Sequence, residues 1–589
     1  MALKITDERN YQDIADAIRG KLGSSDTFLP SEMADAIESI PTGPAPVEYK
    51  TIFIDYDGTV LYEYTQEEVD ALTEIPPLPS HVGLTCQGWN WTLSEIKSLG
   101  RQAIVGAYYI TDNGRTRVYL SVPEKEKTVY CKFKESESYG VRIHWGDGTT
   151  AEPKSGLTIS ESHTYESAGD YVIEFEVVKG SIIVYGEMNP GSYLVYSNLK
   201  YTDAPRGVIR YISKIELGDN VKLNSYALAF TYAQTITIPA SLEGYGSGSE
   251  GWFMGSNYLK AVIFPRGLTA IAPYVCQNNV SLIYASFPGN AQTLGYTGFE
   301  GCVSMKCLSL PDSITDIPMR VFNSCSSIEK ILLPSNVTSI GDQAFNKATG
   351  LKGCFNVPQS LTDIGSNAFA YTDIDSLVID NDELSIGSNA FAYCNNLSSI
   401  VINKPFEMTG DHVFYENPKL QSVELSEDVS EIPAGLFAGA ILITEVTLPD
   451  TITEIGESAF RNCANIIKLV LPEGLTFIDE DAFYSCSKLR ELIIPPGVDT
   501  LSDGMCYTCT KLTSVVCMGN IVSIENNCFA SCVEIKEYDF SHCTAVPAAT
   551  GTRTIYTSSN PTIKIPAALY DAFVADSFWS AYKNYFVAV

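Results

Sequence analysis

Few residues of this 589-residue chain have the types and spacing that chemistry requires. Cys506 and Cys509 form a CxxC, a spacing that serves zinc or a redox-active dithiol, but either use needs a second pair and a strand-helix setting that the flanking residues do not offer. The five histidines, at 81, 144, 163, 412 and 542, do not pair at a metal or triad spacing. Asp147 and Asp170 could contribute oxygens to calcium, yet no EF-hand-like loop surrounds them. The most suggestive stretch is Thr51-Ile-Phe-Ile-Asp55-Tyr-Asp57-Gly-Thr59, an apolar strand that closes on two carboxylates. Its plain reading is an Asp-Gly turn in a hairpin. The sequence therefore assigns no catalytic residue, no metal and no cofactor.

The Asp55-Tyr-Asp57-Gly-Thr59 run also resembles the first motif of haloacid-dehalogenase-type phosphatases. That resemblance implies Asp55 as nucleophile on phosphorus, Asp57 as proton donor to the leaving group, and magnesium held by both. Such chemistry needs a parallel sheet that brings a Ser or Thr, a Lys and a further acidic pair to the same strand ends. Downstream lie helix fragments, a proline cluster at Pro76–Pro79 and a β-rich stretch, with no run of βα units. The phosphatase is kept only as an alternative to a non-enzymatic protein.

The elements that must position any site are announced by a period. One slot recurs at Phe230, Phe253, Cys276, Phe299, Phe322, Phe345 and so on to Phe529, 13 steps across 299 residues, or 23 per step. A fixed period of this length means a solenoid, in which each coil buries its apolar face only by stacking on its neighbours. Seven cysteines, from Cys302 to Cys532, stand three residues after the slot, so they mark a repeat position rather than a disulfide framework.

The copy Val446-Thr-Leu-Pro-Asp-Thr-Ile-Thr-Glu-Ile-Gly-Glu-Ser-Ala-Phe-Arg-Asn-Cys463 and its successor Leu469–Cys486 resemble the BspA-type leucine-rich repeat family. The resemblance implies a mostly β, leucine-rich-repeat solenoid of about 14 coils over residues 213–535. Leu and Ile face inward on a short strand, Pro ends the strand, and Phe plugs the far side. Stacking at about 4.8 Å gives a rod roughly 60 Å long. Gly244–Gly251 inserts extra glycines, and residues 397–440 lose the proline and one Ile-Gly step, so bulged coils are expected there.

The flanks divide further. Residues 1–43 form an N-terminal docking segment, with Tyr11, Ile14, Ala15, Ile18 and Leu22 at helical spacing and a second amphipathic stretch through Met33, Ile37 and Ile40. The run from Ile14 to Ile40, and later Gly83–Leu99, resemble structural proteins of phages infecting gut Firmicutes. Residues 48–115 read as a small α+β module with helices near Gln66–Leu72 and Thr92–Leu99, and with Asp112-Asn113-Gly114 as a hairpin turn. Trp89 and Trp91 are expected in its local core. Residues 116–180 carry Trp145-Gly-Asp-Gly-Thr149, His163-Thr-Tyr165 and Gly169-Asp-Tyr-Val172, which resemble a polycystic-kidney-disease-type (PKD-type) immunoglobulin-like domain, implying a spacer or adhesive module. Residues 181–212, together with that β module, are expected to cap the solenoid's N-terminal end, and residues 536–589, rich in aromatics, to form a C-terminal lid.

A formal charge of −31 and the lack of a basic stripe argue against nucleic acid, and no run reaches the roughly 18 apolar residues of a membrane span. No signal peptide opens the chain, so synthesis in the cytoplasm without Sec-type export is expected. In each repeat strand the residue between two inward positions points out. An aliphatic stripe there, Val378, Val401, Val470, Ile493 and Val516, is the predicted binding face. The function these features favour is a non-enzymatic virion attachment protein of a phage or prophage. It would dock to other virion proteins through its N-terminus and to a host-surface protein or glycan through the solenoid, with homo-oligomerisation left open. A bacterial surface adhesin of the BspA type is the alternative.

Overall fold

The computed structural model describes residues 50–187, 191–192, 212–244, 250–410, 412–551 and 553–589. The docking segment 1–43 and most of the cap 181–212 lie outside them.

Each coil of the solenoid has three sides. The first is a strand, such as Lys468–Val470 or Glu491–Ile494, and the second a two-residue strand, such as Glu454–Ile455 or Phe477–Ile478, both pairing in parallel with their neighbours. The third is a tight turn carrying the plug. Its amide donates to the next coil, as from Phe345 N to the Ala368 carbonyl at 2.8 Å and from Phe369 N to that of Ala390 at 2.8 Å. This turn needs two left-handed residues, two positions before and after the plug, for instance Gln343 (φ 56°) and Lys347 (φ 60°) around Phe345. Each costs backbone energy, and the inter-coil hydrogen bonds from Gln343 N and Lys347 N, both 2.9 Å, offset it.

The plugs stack. Phe299, Phe322, Phe345, Phe369, Phe391 and Phe414 form a parallel column with successive ring centroids 5.8, 5.5, 5.3, 5.1 and 5.8 Å apart. The column's first coil needs correction. Left-handed Tyr226 and Phe230 bracket Leu228, and the Ser256 hydroxyl donates to the Leu228 carbonyl, so Leu228 is the plug and Phe230 flanks it. The glycine-rich insertion lengthens that step to 25 residues and shifts the phenylalanine out of phase.

The cysteine slot does more than fill space. Cys302, Cys325, Cys463, Cys486, Cys509 and Cys532 each send the thiol to the carbonyl of the preceding coil's slot residue at 3.0–3.2 Å. That carbonyl already accepts one turn amide, as Phe437 does from Ala440 N at 2.9 Å, so the thiol serves its second lone pair. All sixteen cysteines are free, and burial pushes the Cys463 thiol up to about 12. Replacing Cys463 by Ala is therefore expected to cost about 1 kcal/mol from the hydrogen bond alone, Cys463→Ser less, and reductant should leave the melting temperature unchanged. A melting temperature that falls with reductant would contradict this picture.

The strand ladder runs past residue 535. Glu537–Asp539, Thr562–Ile565 and Phe586–Ala588 extend the parallel sheet, giving about 16 turns rather than 14. Phe573 and Trp579, both fully buried, close this end, and Trp579 donates its indole N–H to the Pro547 carbonyl at 2.8 Å. The strand ladders break between Ser422–Leu425 and Glu445–Thr447 on one side and between Glu407–Met408 and Glu431–Ile432 on the other, but they break in regular coils as well, as between Tyr284–Ser286 and Leu308–Ser309, and a register shift falls at Gly353/Cys354 rather than within 397–440.

At the other end, residues 116–184 form two packed sheets that become the solenoid. Strand β5 (Thr116–Val122) pairs with the first coil at Ile212–Glu216, while β11 (Ile182–Val184) pairs with Val221–Leu223. Phe133 of β6 (Thr128–Glu135) meets Phe175 of β10 (Gly169–Val177) between the sheets, 5.7 Å apart. The sandwich is thus a cap continuous with the coils.

Residues 50–111 form a sheet ordered β2-β1-β4-β3, where β1 is Thr51–Ile54, β2 Val60–Tyr64, β3 Leu84–Trp89 and β4 Ile104–Thr111. Helices α1 (Gln66–Ala71) and α2 (Leu93–Leu99) both start on reciprocal capping boxes, Thr65/Glu68 and Thr92/Glu95. The Asp112-Asn113-Gly114 turn does not close a hairpin. β4 is already flanked by β1 and β3, and β5 by β10 and Ile212–Glu216, so the turn passes the chain between sheets, where Arg117 holds Asp112 at 2.6 Å.

Candidate interaction surface

The chemistry-bearing residues serve structure. β1 and β2 are an antiparallel hairpin, and Asp55 N donates to the Thr59 carbonyl at 2.8 Å across its turn. The buried Asp55 carboxylate accepts from the Tyr56 amide at 2.9 Å and lies 2.7 Å from His81 Nε2, while Asp57 accepts from the Thr59 amide at 2.8 Å. Cys506 and Cys509 sit buried in adjacent repeat positions. Among the described residues no cluster of three or more His, Cys, Asp or Glu could hold a metal ion.

Asp147 organises the sandwich turn. Its Oδ1 accepts from the Thr149 amide and hydroxyl at 2.9 and 2.6 Å, and its Oδ2 lies 2.7 Å from His163 Nε2, whose ring stacks on buried Trp145 at 4.9 Å. Partial burial pushes the Asp147 carboxyl up, but the bonds from Thr149 and His163 outweigh it and hold the group at about 2, below the usual 3.8. A depressed carboxyl stabilises the fold above its ordinary range, and that contribution drains away as pH falls from about 4 through about 2. Thermal unfolding of the parent and Asp147→Asn proteins between pH 2 and 5 should therefore converge at the acid end. Parallel curves would refute the assignment.

The strand face of the first coils is occupied from within the chain. Outward Ile263, 3% exposed, packs against Ile52, Ile54, Ile104 and Tyr108 of the N-terminal module. The next outward residue, Ser286, donates to the Ile104 carbonyl at 2.6 Å, and Ser309 donates to that of Gln102 at 2.9 Å. Asn90, fully buried, donates to the carbonyls of Phe264 and Ser286 at 3.1 and 3.2 Å and accepts from Gly106 N at 2.8 Å. The Trp91 indole reaches the Phe287 carbonyl at 2.7 Å, so this tryptophan joins the module to the solenoid, whereas Trp89 stays inside the module. Arg101 to Asp312 at 2.7 Å and Arg266 to Glu95 at 2.9 Å brace the two edges.

Beyond this cover the stripe emerges. Val378 and Val401 pair in register and are half-buried, and exposed Glu424 follows them. Val470 and Ile493, 47% and 49% exposed, line a groove of about 410 Å³ together with Ile467, Met518, Pro495 and Pro496. Lys468, Arg490, Glu473 and Glu491 add charges of both signs to its walls. Val516 pairs with Ile493 but lies half-buried outside the groove. Ile467 and Met518, each 45% exposed, were not singled out by the strand alternation because they sit just before and just after strands.

Three hydrogen-bonded ladders around a stacked aromatic column define a β-solenoid protein of the leucine-rich-repeat class. The profile for the BspA type leucine rich repeat region (6 copies) matches residues 209–329, 249–373, 315–440 and 430–550, together more than half of the chain, which therefore belongs to that family. Among solved structures, a leucine-rich repeat protein from Bacteroides ovatus is similar at 23% identity over 55% of this chain and 92% of its own, with a TM-score of 0.43. A leucine rich cell surface protein from Faecalibacterium prausnitzii is similar at 17% identity over 58% and 89%, with a TM-score of 0.27. The pneumococcal vaccine antigen PcpA is similar at 15% identity over 62% and 75%, with a TM-score of 0.23. No curated protein matches the chain.

Proposed function

We propose that the protein is a non-enzymatic recognition protein, a surface adhesin of the BspA type, and that its solenoid binds a partner protein through the groove at Val470 and Ile493. The observation that carries this reading is the concentration of half-exposed apolar side chains, Ile467, Val470, Ile493 and Met518, around one groove of a chain whose formal net charge is −31. Apolar surface gathered in this way marks an interface. The occupied strand face at Ile263, Ser286 and Ser309 supports it further, because the same outward positions already serve for docking inside this chain. In this reading the sandwich, whose Trp145, Asp147 and His163 follow the PKD-type pattern, is the rigid base of the recognition surface.

Virion attachment is the second reading, and the resemblance of residues 14–40 to phage structural proteins is what favours it. The test separates the two. Intact cells producing the protein are treated briefly with protease, and the released peptides are identified by mass spectrometry. An adhesin yields peptides from residues 213–535, whereas recovery of the chain only with purified particles would replace the first reading by the second.

A further inference from the structure

Among the described residues the strand face is occupied by the chain's own β4, and the way this strand is seated shows how the face holds an occupant. β4 crosses the coils along the solenoid axis, two residues to a coil: Gln102 lies on Ser309, Ile104 on Ser286 and Gly106 on Ile263. The Ile104 side chain joins Ile263 in one apolar cluster, whereas at Gly106 a methyl group would stand 2.5 Å from Ile263, so aliphatic and small residues alternate on the seated side. At both ends of the seat the module is fastened through one kind of rim position, the residue that follows the proline just past a strand. Arg266, after Pro265, pairs with Glu95 at 2.9 Å, and Asp312, after Pro311, pairs with Arg101 at 2.7 Å.

At the open groove the same rim position carries one sign. Asp450 follows Pro449 and Glu473 follows Pro472 in adjacent coils. Both side chains are exposed, and neither has an ion pair or a side-chain hydrogen bond among the described residues. Glu473 lines the groove together with Val470 and Ile493. Where the strands begin, Lys468 and Arg490 outnumber Glu491, so a basic side chain is repelled there and directed to the Glu473 rim. We propose that the groove takes an extended segment of a partner protein, laid along the solenoid axis as β4 is, with aliphatic and small residues in alternation and an Arg or Lys that pairs with Glu473 and Asp450. This rests on the groove reading above and gives its partner a chemistry. The field of a chain of formal charge −31 draws the same kind of segment from a distance, and two carboxylates without partners repel an acidic competitor.

In the full chain the first coils stay covered by the module, so a short peptide in solution probes the open groove. Two fluorescein-labelled octapeptides serve: the sequence of residues 100–107, in which Arg101 precedes Ile104 and Gly106, and the same sequence with Arg101→Glu. By fluorescence polarisation the parent is expected to prefer the Arg peptide by at least about fivefold, the worth of two exposed ion pairs. Asp450→Lys/Glu473→Lys should reverse the preference with an unchanged melting temperature, and the charge-matched control Glu74→Lys/Glu166→Lys should keep it. No measurable binding, equal affinities in the parent, or a preference that the control loses as fully as the rim variant would overturn the proposal. Binding to intact target cells separates it from the groove reading. Loss of cell binding in Val470→Asp/Ile493→Asp but not in Asp450→Lys/Glu473→Lys overturns the basic partner and leaves the groove reading standing, whereas cell binding that survives in both variants sinks the groove reading itself.

Discussion

Replacing Val470 and Ile493 together by Asp should lower binding of the fluorescently labelled protein to intact target cells by more than about 100-fold, with no comparable loss of fold stability. Each side chain is about half exposed, 47% and 49%, so the fold gives up little buried area when they change. Exposed substitutions of this kind stay within roughly 0.5 kcal/mol. In a complex the same positions become buried, and two carboxylates without partners then cost several kcal/mol. A matched control is Val178→Asp on the sandwich, where the valine is equally exposed at 47% but lies far from the groove. Binding is measured by flow cytometry over a concentration series. If the double variant and the control bind alike, the groove is not the contact surface.

The largest effect on stability is expected from Phe369→Ala. Phe369 is fully buried and stacks between Phe345 at 5.3 Å and Phe391 at 5.1 Å, with Phe355 packed against it at 4.7 Å. Truncation removes the ring and leaves a cavity whose walls are held by three inter-coil ladders, so little collapse is available. A loss of about 3–5 kcal/mol follows. Because coils of a solenoid contact only their neighbours, the damage should be local. Hydrogen exchange is therefore expected to quicken over roughly 340–395 while coils beyond Glu445 keep their protection. Calorimetry that shows less than about 1 kcal/mol of destabilisation would mean the column is not a packing element.

Much of the fold was legible because each coil repeats one local solution. The slot through Phe253, Phe345 and Phe460, and the thiol that stands three residues after it in seven coils, follow from sequence spacing alone. The misassignments have a common cause. Phe230 resembles a plug by counting, yet the glycine-rich insertion changes the phase, and only the left-handed residues around Leu228 reveal it. Asp112-Asn113-Gly114 has hairpin chemistry, but whether a turn closes a hairpin depends on which strands still have a free edge. How the sandwich joins the solenoid was not legible either, because strand pairing between β11 and Val221–Leu223 is set by the whole fold rather than by residues within reach of one another along the chain.

The amino-acid order alone determined the period, the inward face and the plug of the coils from Phe253 onward, since these depend on side chains a fixed distance apart on one coil. Only the tertiary structure decided which outward positions remain open. Ile263 and Ile493 occupy the same place in their coils, yet one is 3% exposed and the other 49%, because a sheet formed by residues 51–111 lies over the first and not over the second. Burial of that kind is set by contacts across some 200 residues, such as Asn90 with Ser286, and no local pattern distinguishes a covered valine or isoleucine from a free one.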